Sequence, residues 1–312
     1  MQTDPFFTAD ILGDLRSMNF AITETSVSAT GEYLVEDVLW NYQDARHTDV
    51  VHTGVMCNAP FFVTRNSLCT LLVMKNFGLP VPIVLVQYFK DPSALYTIQS
   101  LGFGFLLRSV IHMTQETETT THITIDYHVI SHRVLKWLHP IIVRMLKKNF
   151  ERLLQEDEPM RLRKMELRRM GFVNTSPNRL TYLDTLNISQ NNIRFDPAKS
   201  RAGAPAVEQV VPVPNGHATS CVKLDDEKQF RLVAQGGEVL VFGTVCPHEG
   251  ADLSGARCEN GRLVCPWHGR KVQPLARIPV GQHGEVRLDA LHTTIAYTPD
   301  AIRFTPHERR VT

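Results

Sequence analysis

Six cysteines in 312 residues are too few for a disulfide framework, which packs them densely into short secreted chains. A charge excess of either sign is also missing. There are 33 Lys and Arg against 32 Asp and Glu, a formal net charge of +1. That excludes the basic footprint of a nucleic-acid-binding protein, and no Lys/Arg run marks a membrane surface. Long hydrophobic runs are absent too. The most apolar stretch, Pro80 to Phe89, is too short to span a bilayer and carries two prolines and a glutamine. The opening MQTDPFFTAD has neither a basic n-region nor an apolar h-region, so no signal peptide is expected. These absences predict a cytoplasmic protein of about two domains, at roughly 100–200 residues each. Histidine, by contrast, is plentiful at 13 residues, and its placement is uneven.

Residues 1–174 read as one domain. Pro80 to Phe89, Leu95 to Leu101 and Phe103 to Met113 are strand-like runs, with turn material at KDPSA. In HITIDYHVI, Ile123, Ile125, Tyr127 and Val129 alternate with polar residues, the period of a half-buried strand. An antiparallel meander is expected. From Val134 to Met170, Leu138, Ile142, Leu146, Phe150, Leu153 and Leu154 recur at helical spacing, and Gly171 is a good stop. Pro159 predicts a kink or break near Asp157. Residues 175–208 lose periodicity and are rich in Pro, Gly, Ser and Asn, as expected of a linker. Residues 209–312 return to short, closely spaced β runs, a small all-β domain.

That small domain contains CPHEGADL from Cys246 and CPWHG from Cys265. Cys246 with His248, and Cys265 with His268, make two Cys-His pairs on Gly- and Pro-bearing loops. Such a set suits a two-iron cluster with unlike ends, thiolates on one iron and imidazoles on the other. Two Cys and two His are also a zinc set, but Cys-x-His is an unusual zinc knuckle. The loops resemble the Rieske signature C-x-H…C-x-x-H over about Val210 to Thr305. The second pair of cysteines found in quinol-oxidising relatives is replaced by Ala251 and Trp267, so the resemblance is to the oxygenase and ferredoxin branch. Cys57, Cys69, Cys221 and Cys258 have no partner in motif spacing.

The larger domain contains NYQDARHTDVVHTG. Here Asp44, His47 and His52 read D-x-x-H-x-x-x-x-H. Two imidazoles and a carboxylate on one face of a ferrous ion leave positions open for dioxygen. On a helix Asp44 and His47 share a face, whereas His47 and His52 lie about 140° apart, so the helix is expected to distort or end near His52. Asp157 falls in the apolar stripe of the long helix, where a carboxylate is costly unless paired or metal-bound. A salt bridge to Arg161 is the alternative. Glu156 and Glu158 point elsewhere on the helix and are expected in solvent, while Trp40, Trp137 and Phe61–Phe62 are expected in the core.

Together these motifs resemble the Rieske non-haem iron oxygenases. The resemblance implies an α+β chain: a helix-grip domain of the START and aromatic-ring-hydroxylase type, a curved antiparallel sheet on a long C-terminal helix, followed by a small all-β Rieske domain. That order is the reverse of the family's usual one. It further implies a [2Fe-2S] cluster on Cys246, His248, Cys265 and His268. A mononuclear Fe(2+) on His47, His52 and Asp157, Asp44 as the electron bridge, and O2 as co-substrate complete the implied set. The expected substrate is a small apolar molecule: aromatic, polyketide, terpenoid or lipid-like. No G-x-G-x-x-G follows a strand, so electrons are expected from a separate ferredoxin and/or NAD(P)H reductase. The family's homotrimers pass electrons between neighbouring chains. The rival reading is a non-catalytic domain for hydrophobic ligands fused to a Rieske electron-transfer or redox-sensing module.

Overall fold

The structure is a computed structural model that describes residues 11–76, 79–91, 94–175, 182–200, 206–215 and 218–307. Part of the turn expected at KDPSA and part of the expected linker lie outside them. The chain forms two compact units, Met1–Leu162 with Leu180–Leu186, and Arg163–Arg179 with Asn187–Thr312.

The first unit begins with helix α1 (Ile11–Ser17) and strand β1 (Phe20–Gly31), then two short helices, α2 (Val35–Gln43) and α3 (Thr48–Val51). Six further strands follow: β2 (Val55–Val63), β3 (Ser67–Asn76), β4 (Leu79–Asp91), β5 (Ala94–Gly102), β6 (Phe105–Gln115) and β7 (Thr121–His132). They make one antiparallel sheet of order β1-β7-β6-β5-β4-β3-β2. The meander expected from the alternating runs is β4 to β7. Register shifts in β2, β4 and β5 bend those strands. The fold is a curved antiparallel sheet carrying a long helix, the helix-grip arrangement.

That helix, α4, spans His139–Met170. Residues Arg133–Leu138 just before it form a 3-10 turn, so the α-helix starts five residues later than the apolar spacing suggests. Pro159 does not break α4. Proline removes the hydrogen bond to the carbonyl of Gln155, but Gln155 and Pro159 both lie on the exposed face, where water can take that carbonyl. Gly171, at φ +97°, ends the helix in a conformation other residues adopt at a cost. Near its start α4 packs Leu146, Ile142 and Val143 onto Phe105, Leu107 and Val129 of the sheet. Further along, Phe150, Leu153, Leu154, Asp157 and Arg161 line a cavity of about 220 Å³ whose opposite wall is the sheet.

Trp40 is buried as expected, but Trp137, Phe61 and Phe62 are exposed at 70%, 65% and 55%. Both phenylalanines sit on edge strand β2, beside a register shift at Pro60/Phe62, and Trp137 lies on the 3-10 turn. An edge strand or an isolated turn has one packed neighbour at most, which a hydrophobic residue type does not reveal.

The second unit is all-β apart from the end of α4 and short turns. Part of the stretch read as linker is a strand, Ile193–Phe195, which pairs with Phe172–Asn174 just past the end of α4. Two four-stranded sheets follow, one ordered Gln209–Pro212, Ala301–Pro306, Thr293–Tyr297, Gly284–Leu288, the other Thr219–Lys223, Gln229–Gln235, Glu238–Gly243, Ala276–Pro279. Phe230, Leu232, Val241, Ile278, Ile295 and Phe304 fill the core they share. A three-stranded sheet (Arg257–Glu259, Arg262–Val264, Lys271–Val272) carries the second Cys-His loop. Among the described residues, no helix is long and apolar enough to cross a membrane.

Candidate metal centres

The two Cys-His loops of the second unit fold alike. Cys246 N–H donates to Ala251 O and Gly250 N–H to Cys246 O; in the other loop Cys265 N–H donates to Arg270 O and Gly269 N–H to Cys265 O. Gly250 and Gly269 both take positive φ, +86° and +63°, which glycine supplies without a Cβ clash. The turns bring all four side chains together in the interior, with Cys246, His248, Cys265 and His268 each buried. The imidazoles stand edge-on at 4.6 Å between ring centres, with their Nδ1 atoms 3.2 Å apart. The thiols hydrogen-bond one another. That bond brings Cys246 down to about 7 against the effect of burial, and pushes the Cys265 thiol up. Two thiols and two Nδ1 atoms on adjacent loops fit a [2Fe-2S] cluster with a cysteine end and a histidine end.

Further residues hold the first loop, and motif spacing did not point to them. Asn192 N–H donates to His248 O and Ile193 N–H to Pro247 O. Glu249, buried beside His248, accepts from Lys164 Nζ at 2.6 Å and Asn192 Nδ2 at 2.8 Å. Arg270 ties the second loop to Gln190 O and Asn191 Oδ1, both at 2.8 Å. The stretch with the least periodicity therefore clasps both loops.

In the first unit the D-x-x-H-x-x-x-x-H stretch is not one helix. Asp44 caps the C-terminus of α2, His47 caps the N-terminus of α3, and His52 follows its last residue. The break removes the 140° conflict. His47 Nε2 lies 3.2 Å from His52 Nε2, and Asp157 Oδ1 on α4 lies 3.4 and 3.5 Å from those two atoms. All three residues are buried. These separations are those of ligands sharing one ion at bonds of about 2.1 Å.

The other ring nitrogens are anchored. His47 Nδ1 donates to Asp44 O, and His52 Nδ1 donates to Glu156 Oε2 at 2.9 Å. Both partners are acceptors, so each Nδ1 carries the hydrogen and each Nε2 keeps its lone pair. Two such nitrogens and a carboxylate oxygen converging in a buried site repel unless positive charge lies between them. Burial lowers the pKa of His47, yet contact with Asp157 and the charge of Asp44 outweigh it and raise it overall. Burial dominates at His52 and lowers it. Burial would raise Asp157, but His47, Arg161 and His52 bring it down to about 2. Asp157 is thereby held as an anion where the three donors meet, and the donor set fits a two-histidine, one-carboxylate ferrous centre.

Asp157 does not choose between the metal-ligand and salt-bridge readings. Its Oδ1 faces the histidines, while Oδ2 accepts from Arg161 Nη2 at 3.4 Å. Arg161 also donates to Asn41 Oδ1 at 2.7 and 3.0 Å, and Asn41 donates to Asp157 Oδ1 at 3.3 Å. Asp44 is buried, with its Oδ2 3.8 Å from His47 Nδ1. Glu156, expected in solvent, instead holds His52 and accepts from the hydroxyl and N–H of Thr53. Helix periodicity gave no hint of it, because its partners lie on a turn 103 residues away in sequence.

The Rieske [2Fe-2S] domain model matches residues 205–279. The chain therefore carries a helix-grip unit followed in sequence by a Rieske domain. No curated protein matches the sequence. Among solved structures, the chain is similar to the di-domain ARO/CYC BexL from the BE-7585A biosynthetic pathway (10% identity, TM-score 0.39, 45% of this chain and 50% of that one). It thus spans about half the length of that protein. It is also similar to a START superfamily protein from Mycobacterium smegmatis (13%, 0.37, covering 45% and 98%), and to norcoclaurine synthase from Thalictrum flavum in complex with dopamine and hydroxybenzaldehyde (11%, 0.40, covering 52% and 97%).

Proposed function

We propose that the chain is a Rieske-type oxygenase that oxidises a small molecule held between the sheet and α4. The observation carrying this reading is the convergence of His47 Nε2, His52 Nε2 and Asp157 Oδ1 on one point at the wall of the cavity between the sheet and α4, in a chain that also carries a Rieske domain. A mononuclear iron held by those three atoms supplies dioxygen activation when bound, drawing electrons through the cluster.

The chain's own groups do the rest. Asp44 O and Glu156 fix the two rings, and Arg161 with Asn41 fixes the carboxylate. Asp44, buried against His47, is the carboxylate through which electrons enter, from within the chain or from a neighbouring one. Phe150, Leu153 and Leu154 give the cavity an apolar wall on α4. Electrons come to the cluster from a separate ferredoxin or NAD(P)H reductase.

Metal analysis of the reconstituted chain tests the reading. Three irons per chain are expected, two in the cluster, and His47→Ala should leave two with the cluster spectrum unchanged. Two irons in the wild-type chain would overturn the oxygenase reading in favour of a ligand-binding domain fused to an electron carrier.

A further inference from the structure

The last turns of α4, from Arg163 onward, belong to the second unit. Arg163, Lys164 and Leu167 lie there within one helical turn of each other, on one side. All three reach the first cluster loop. Arg163 Nε donates to Gly250 O at 3.4 Å, Lys164 Nζ donates to Glu249 Oε2 at 2.6 Å, and the Leu167 side chain lies against Gly250. Lys164 also meets the second loop, with its ammonium 6.0 Å from the ring centre of Trp267. It therefore touches a sequence neighbour of each histidine in the set, Glu249 after His248 and Trp267 before His268.

Both members of the ion pair are buried, Lys164 at 7% exposure and Glu249 at 1%. Lysine and glutamate are among the residues least often buried, and their mutual attraction commonly fails to repay the loss of water. A loop in need of mechanical anchoring alone has cheaper means, and this one has them. Asn192 and Ile193 already hold His248 and Pro247 by their carbonyls. The pair stands instead where charge matters most. An electron entering the cluster adds a negative charge to a dry interior, where nearby ions act strongly. The potentials of iron–sulfur centres follow net charge, hydrogen bonding and burial. Glu249 opposes that electron and Lys164 offsets Glu249. Asn192 Nδ2 donates to the other carboxylate oxygen, Oε1, at 2.8 Å, so both oxygens are held in place.

We infer that Lys164 is a positioning residue for the electron-transfer centre: it ties the two histidine loops together through Glu249 and Trp267, and its charge holds the reduction potential of the cluster up against the buried Glu249 carboxylate. The inference rests on the Rieske domain alone and stands whether or not the first unit binds iron.

Redox titration of the full chain with its cluster, followed by visible circular dichroism, tests this. Lys164→Met should lower the potential, by about tenfold in the one-electron reduction equilibrium or about 59 mV. Glu249→Gln should raise it by a similar amount. The double variant should return close to wild type, and Lys164→Arg, which keeps the charge and the donors, should stay there. Visible absorbance per chain checks that each variant carries its cluster. A tie with no electrical role would move both single variants in the same direction or move neither, and either result would overturn the inference. If Lys164→Met alone does not fold or load, the double variant against Glu249→Gln carries the comparison. Adding Lys164→Met to Glu249→Gln should lower the potential, and equal potentials would overturn the inference.

Discussion

His52 Nδ1 donates to Glu156 Oε2 at 2.9 Å, joining the turn after α3 to the residue just before Asp157 on α4. One helix segment thus presents Asp157 to the convergent point and steadies the ring that faces it. Neighbouring positions on a helix diverge by about 100°, so the two carboxylates reach the same imidazole from different sides, one at each nitrogen.

Glu156→Ala should leave the cluster intact while weakening mononuclear iron about 10- to 100-fold, the usual effect of removing the group that orients a histidine ligand. Glu156→Gln, which keeps an acceptor for Nδ1–H, should lose less. Iron retained per chain against a chelator series reads both. Equal affinity in Glu156→Ala and wild type would mean that His52 needs no anchor.

In the proposed reading Asp157 serves both the mononuclear iron and Arg161, and two variants separate the roles. Asp157→Ala leaves Arg161 buried without its carboxylate, so the first unit should lose about 3–5 kcal/mol along with its iron. Asp157→Ala with Arg161→Met should recover much of the stability and none of the iron. Urea denaturation beside metal analysis distinguishes them. A double variant no more stable than the single one would show that Asn41 alone satisfies the guanidinium.

Asp44→Asn keeps the main-chain carbonyl that accepts from His47 Nδ1 and removes only the charge. Iron content should stay near wild type. Single-turnover product from pre-reduced protein should collapse, because the proposed electron entry depends on that carboxylate. Product at the wild-type rate would move the bridge elsewhere.

Gly250→Ala tests the cluster loop. The glycine sits at φ +86°, and a Cβ would collide with Leu167 Cδ1. Leu167 is buried, so either its side chain or the loop must shift, and cluster content should drop severalfold, read by visible absorbance per chain. Gly281→Ala is the control. It has φ +79° and nothing within 4 Å, so its cost should be only about 1–2 kcal/mol of backbone strain, with the cluster intact.

The four cluster residues were readable in sequence because their geometry is local. Each loop closes on itself within six residues, through Cys246 with Ala251 and Cys265 with Arg270, so spacing and glycines carry the information. The strands of the meander were readable by alternation, and α4 by its apolar stripe. Sequence also brought His47, His52 and Asp157 forward as one set. The helix expected to distort or end near His52 ends earlier, at Asp44, and a second short helix lies between His47 and His52, while Pro159 does not break α4. What tertiary structure alone decided is long-range. Glu156 rather than solvent meets His52, and Asn41 and Arg161 share Asp157 with the histidines. Each depends on strand register or on the rotation of α4 against the sheet. Those are set by the packing of Leu146, Phe105 and Val129, residues whose identity says they are buried but not which neighbour they bury against.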